Sequence, residues 1–195
     1  MDKQNSQLRI IAGQWRGRKI NFLPQLGLRP TPNRVRETLF NWLAPYIQDA
    51  YCLDAFAGSG ALGFEALSRG ARSVVMIDQS HEIIKTLKEN AETLKINTVE
   101  FYCGDFLKTL PTLSPRKFDI IFLDPPFHQN LISASAKLLE NSGCLAVDAL
   151  IYIEAEATLP TLNLPNNWEV IRSKKAGEVA YHLVRKTYFS CIAID

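Results

Sequence analysis

Apolar and polar positions follow two alternating rhythms along the chain. From Tyr51 onward, short runs that are apolar almost throughout ("YCLDAF", "SVVMID", "VEFYCGD", "FDIIFLD" and "ALIYIEA") alternate with longer stretches whose apolar residues recur every three or four positions. The first kind predicts strands covered on both faces, as in parallel sheets. The second predicts amphipathic helices. "GALGFEALSRG" reads as a helix stopped by Gly70, and Ser80 caps a helix that puts Ile83, Ile84, Leu87, Ala91 and Leu94 on one face. A further helix is expected from about Asn130 to Ser142, and "WEVIRSKKAGEVAYHLVRK" reads as two strands around the turn at Lys175–Glu178. Ahead of this rhythm, "LRIIAGQWRGRKINF" predicts a strand, a turn and a second strand. In "TPNRVRETLFNWLAP", Thr31 is placed as the N-cap and Pro32 as the first helical residue, with Val35, Leu39, Trp42 and Leu43 facing inward and Pro45 ending the helix.

Strand–helix alternation implies a doubly wound α/β fold. The expected organisation is one structural domain with two parts: an N-terminal extension over residues 1–47 and a main body over residues 48–195. Charge separates the same parts, with a net +6 in residues 1–45 and −4 in the other 150. A basic end on an acidic body suits an anionic partner. No apolar run approaches the roughly 20 residues that span a bilayer, and "MDKQNSQLRI" contains no signal-peptide core, so a cytoplasmic location is expected. Cys52, Cys103, Cys144 and Cys191 are too scattered for a zinc site and read as buried reduced thiols. The histidines (His81, His128 and His182) form no ligand set, and no metal is expected.

Candidate chemistry concentrates at strand ends. Asp54, Asp78, Asp105 and Asp124 each close an apolar run, and in such sheets ligands bind beyond the carboxyl ends of the strands. Gly58, Gly60 and Gly63 complete a G-x-G-x-x-G string, which leaves a nicotinamide dinucleotide and S-adenosylmethionine both open. Asp54 separates them. Its carboxylate would repel a pyrophosphate and attract the ammonium and sulfonium of the methyl donor. Asp78, 20 residues past Gly58, suits the ribose hydroxyls of either cofactor. Asp105 can accept from an adenine amine with Phe106 against the ring, or simply cap a helix.

"LDPPF", Leu123–Phe127, is the most specific stretch. Two prolines stiffen the loop and restrict Asp124 to extended backbone. The Asp124 carboxylate and Pro125 carbonyl can then clamp an exocyclic amine, with Pro126 setting the corner and Phe127 offering a face to the base. Such a base must leave its stack or lie in unpaired RNA.

These motifs resemble a known family. The stretches "RIIAGQWRGRKI", "LRPTPNRVRETLFNWL", "LDAFAGSGALGFEALSRGA", "DPPF" and "KAGEVAYHLVRK" are similar to those of the bacterial small-subunit (16S) ribosomal RNA guanine-N2 methyltransferases of the RsmD type. The resemblance implies a Rossmann-like, S-adenosylmethionine-dependent fold with a mostly parallel seven-stranded sheet whose last strand is antiparallel. It implies a cofactor site of Asp54, Phe56, Gly58, Gly60, Asp78, Gln79, Asp105 and Phe106, with S-adenosylhomocysteine as product. Arg16, Arg18 and Lys19 are expected on RNA phosphates, together with Arg34 and Arg36, of which at most one faces a given ligand. The partner would be ribosomal RNA, naked or in an assembling small subunit, bound by a monomer away from any membrane. Readings from other classes are a DNA or RNA adenine-N6 methyltransferase, an NAD-dependent oxidoreductase and a non-catalytic RNA-binding module.

Overall fold

A computed structural model describes residues 6–24, 30–126, 131–159 and 161–187. The chain opens with β1 (Ser6–Arg9) and β2 (Lys19–Phe22), an antiparallel ribbon, followed by α1 (Asn33–Leu43). The body then runs β3 (Tyr51–Asp54), α2 (Ala61–Ser68), β4 (Ser73–Asp78), α3 (His81–Leu94), β5 (Val99–Cys103), α4 (Phe106–Thr109), β6 (Phe118–Leu123), α5 (Leu131–Asn141), β7 (Leu145–Glu156), β8 (Trp168–Ala176) and β9 (Val179–Lys186). The sheet order is β5-β4-β3-β6-β7-β9-β8. The first five of these strands are parallel, and β9 runs antiparallel to both β7 and β8.

Alternate residues of the apolar strands feed two cores. Cys52, Met76, Phe122 and Tyr152 face α1, α2, α3 and the N-terminal ribbon, whereas Leu53, Ile77, Ile121 and Ile153 face α4 and α5. That is why the strands read as unbroken apolar runs. All eight residues of α2 are buried, which follows from the sheet on one side and the ribbon and neighbouring helices on the other. The helix α3 starts at Ser80, whose hydroxyl accepts from the Ile83 N–H at 3.3 Å.

Two contacts orient the layers. The Asp49 N–H donates to the Gly70 carbonyl, and the Arg72 N–H to the Ala50 carbonyl, each at 2.8 Å. The C-terminus of α2 therefore lies at the amino edge of the sheet, and its N-terminus meets the carboxyl rim. The ribbon docks at the amino edge. The Gln14 N–H reaches the Ser68 carbonyl at 2.7 Å, and the Arg18 guanidinium reaches the Thr93 carbonyl at 3.3 Å. Gly13 permits this approach, because a Cβ there would fall 1.7 Å from the Ser68 oxygen.

The ribbon is held by a buried charge. Glu65 of α2 is 0% exposed and accepts from the Ile11 and Ala12 N–H groups at 2.7 and 3.0 Å and from Arg69 Nε at 2.7 Å. Arg36 Nη1 lies 3.6 Å from it. Ile10 and Ile20 of the extension join the same apolar cluster as α1, α2 and α3, and Trp15 packs against it.

Several expectations are corrected. The helix α1 begins at Asn33, one residue later than expected, and Pro32 rather than Thr31 takes the N-cap position. Arg36 is 1% exposed, with Nη2 donating to the Arg9 carbonyl and to Asn33 Oδ1. Its guanidinium is enclosed by the protein, so it is withdrawn as an RNA ligand. Of the thiols, Cys52 is buried but Cys103 is exposed and Cys144 half-buried, while Cys191 lies outside the described residues.

Candidate active site

The carboxyl rim of β3, β4 and β6 gathers the acids anticipated there. Asp54 closes β3, Asp78 closes β4, and Asp124 follows the last residue of β6. Asp105 stands two residues past β5. Between Asp54 and α2 the backbone turns through Gly58 and Gly60, with φ of 49° and 74°. That left-handed region favours glycine. Gly63 has a different task. A Cβ on it would sit 2.3 Å from Met76 Cε, so its bareness lets α2 lie close on β4.

Each rim acid has a distinct environment. Asp54 is 2% exposed, and its Oδ2 accepts from the Gly63 N–H at 3.1 Å. Burial, reinforced by the nearby Asp78 charge and opposed by that N–H, pushes its pKa up to about 7. Asp78 accepts from the Gly58 and Ser80 N–H groups, each at 2.9 Å, and burial raises its pKa despite both bonds. It therefore staples the glycine loop to β4. Asp105 is exposed and caps α4 by accepting from the Lys108 N–H at 3.2 Å. The Phe56 and Phe106 rings meet at a tilt, 5.4 Å between centres, and Gln79, just past the end of β4, is exposed.

At the other end of the rim, Asp124 is half-buried, Pro125 buried and Pro126 exposed. Phe127 and His128 lie outside the described residues. Thr31 was expected to cap a helix. Its hydroxyl instead faces Asp124 Oδ2 at 3.5 Å. Glu154 of β7 is 4% exposed and level with Asp124, since Leu123 and Ile153 are register partners. The Tyr152 hydroxyl donates to Glu154 Oε1 at 2.7 Å. Burial and then the Glu154 and Asp54 charges hold the Asp124 pKa well above the usual carboxylate range, and burial raises Glu154 as well. Level on neighbouring strands, these two carboxyls resist ionising together.

Glu154, Tyr152 and Thr31 were missed in the sequence. A carboxylate inside the otherwise apolar "ALIYIEA" was the available signal, because a strand covered on both faces buries a charge only beside a partner.

The rim segments 54–60, 78–80, 104–106 and 124–126 contain no Lys or Arg. This donor set suits a cationic ligand and opposes a pyrophosphate. No cluster of three or more metal-ligating side chains occurs among the described residues.

Residues 8–185 match the family described as "Conserved hypothetical protein 95". The protein named ribosomal RNA small subunit methyltransferase D of Escherichia coli (strain K12) is 47% identical over 182 residues, covering 93% of this chain and 91% of that one. The protein of the same name from Haemophilus influenzae is 48% identical over 182 residues, covering 91% and 93%. Among solved structures, yhhF of Escherichia coli superposes with a TM-score of 0.83 at 48% identity, covering 93% of this chain and 99% of that chain.

Proposed function

The chain belongs to the conserved hypothetical protein 95 family, and from that premise we propose that it methylates the exocyclic N2 amine of a guanine in small-subunit ribosomal RNA, with S-adenosylmethionine as donor. The relatives named for small-subunit ribosomal RNA methylation support the reaction class and substrate. The observation that carries the site is the half-buried Asp124 and the Pro125 backbone at the end of β6, beside described rim segments that contain no Lys or Arg.

The residues fit the cofactor. Asp54 and Asp78 offer negative charge to its cationic groups and acceptors to its ribose, the glycine turn keeps backbone close, and the partly exposed Phe56, backed by the buried Phe106, offers a face to a ring. Asp105 and the exposed Gln79 complete that wall. When bound, S-adenosylmethionine supplies an electrophilic methyl group on a sulfonium.

The chain's own residues prepare the amine. A guanine amine is a weak nucleophile because its lone pair is drawn into the ring. The Asp124 carboxylate and the Pro125 carbonyl accept its two hydrogens, which favours a pyramidal nitrogen and offsets the positive charge of attack. The proton lost from nitrogen passes to Asp124, and Glu154 and Thr31 keep that carboxyl in place. Most of the rate then comes from position.

Residues 1–47 serve as the RNA-facing extension and 48–195 as the catalytic part. Arg16, Arg18 and Lys19 meet RNA phosphates away from the rim, and Arg34 lies nearer to it. The protein acts as a cytoplasmic monomer on RNA of the assembling small subunit.

The test is mass spectrometry of nucleosides from small-subunit RNA incubated with protein and methyl-labelled donor. Labelled N2-methylguanosine is the expected product. Labelled N6-methyladenosine, or no labelled nucleoside, would overturn the proposal.

A further inference from the structure

The strand register carries one arrangement past the reaction centre. Asp124 is level with Glu154, Glu154 is paired with Tyr181 on β9, and Tyr181 is paired with Lys174 on the edge strand β8. Directly paired residues emerge on the same side of a sheet. This row therefore crosses the α1 side, where Tyr152, Tyr181 and Leu183 share one cluster with α1. Three strand spacings of about 4.8 Å put the Lys174 backbone roughly 14 Å from that of Asp124. Arg172, paired with Leu183, is the next residue of β8 on that side.

The row is bordered by α1. Trp42 is half-buried, and its ring lies 5.5 Å from that of Tyr181. Arg34 is exposed at the start of the same helix, three residues after Thr31. Arg34, Arg172 and Lys174 are all exposed, and none has an ion-pair partner among the described residues. Lys175 emerges on the other side and reaches the Ala157 carbonyl at 3.3 Å. The exposed acids nearest in sequence are Glu169, at the amino-edge end of β8, and Glu178, in the β8–β9 turn.

The ribbon cations are placed differently. Arg18 is tied to the C-terminal end of α3 at the amino edge. The length of α2, about 12 Å for eight residues, lies between that edge and the glycine loop.

We propose that Arg172 and Lys174 of β8, with Arg34 of α1, form a track for the phosphates of the RNA strand flanking the target nucleotide. The chemistry recognised is a single-stranded phosphodiester backbone. Cations on an exposed strand leading away from an acidic rim hold that backbone while one base enters the rim. The surface is sequence-neutral, and it rests on the proposed RNA methylation.

The experiment measures methyl transfer to small-subunit RNA across a salt series. It uses wild type, Arg172→Ala/Lys174→Ala, and the charge reversal Lys174→Glu. Calorimetric affinity for S-adenosylmethionine checks that each variant is folded. The double variant should raise KM for RNA at least tenfold. Its salt dependence should flatten by about 1.4 in log–log slope, from roughly 0.7 per lost single-strand phosphate contact. The reversal alone should also raise KM for RNA above wild type. KM and salt slope within twofold of wild type in both variants, with wild type active, would overturn the track and leave the methylation standing. Wild type inactive on RNA would instead remove the premise.

Discussion

Two regions of this molecule bury carboxylates, and they use them in opposite ways. Glu65, between the ribbon and α1, receives two backbone N–H groups and a guanidinium, with a second guanidinium near it. Every oxygen is engaged, and the charge fastens the extension to the body. At the rim, Asp54 takes one N–H, while Asp124 and Glu154 face each other with Thr31 and Tyr152 as their donors. There burial outweighs the hydrogen bonds, and the acids are held above their ordinary pKa. A satisfied buried charge is structural, whereas an undersatisfied one is a candidate for chemistry.

The contrast can be broken most strongly at Glu65. Glu65→Ala strands Arg36 and two N–H groups, and should cost about 3–5 kcal/mol of unfolding free energy. A urea titration reads this, and a loss under about 1 kcal/mol would deny Glu65 its role. Asp124→Asn should leave the unfolding midpoint at or above wild type and lower methyl transfer about 10²–10⁴-fold. Wild-type turnover in that variant would remove the carboxylate from the chemistry.

Asp54→Asn sharpens the comparison through stability. A carboxyl whose pKa rises on folding binds its proton more tightly in the native state, so it favours folding less as pH climbs from about 4 towards 7. A rise from 3.8 to about 7 corresponds to a penalty near 4 kcal/mol at alkaline pH. The variant should therefore melt higher than wild type at pH ~8, by roughly 2–4 °C per kcal/mol recovered. The gain should shrink near pH ~5, and donor affinity should fall. An equal melting shift at both pH values would contradict the account of Asp54.

Much of this is legible in the amino-acid sequence. The strands and helices were visible because a sheet covered on both faces demands apolar runs, and Asp54 and Asp78 fall where those runs stop. The antiparallel β9 followed from the family resemblance. What stayed hidden depends on tertiary neighbours. Thr31 before Pro32 has the local pattern of a helix cap, yet β6 and β7 bring Asp124 and Glu154 to the same hydroxyl. Arg34 and Arg36 sit on nearly opposite sides of α1, and only the packing of Val35, Leu39 and Phe40 decides that Arg36 turns inward onto Glu65. Glu65 itself appears in the sequence as one charge in an apolar helix, a sign of a partner without a clue to which.

In the proposed mechanism Asp124 and Glu154 act as one titrating unit. The pH–rate profile of single-turnover RNA methylation, for wild type and Glu154→Gln, tests it most directly. On that mechanism Asp124 must be ionised to accept from the amine, so activity should fall as pH drops through its raised pKa. The wild-type acid limb should lie above the range of an ordinary aspartate, and removing the facing carboxyl should move it to lower pH. Superimposable profiles, or a wild-type limb already at an ordinary aspartate's pKa, would contradict the account.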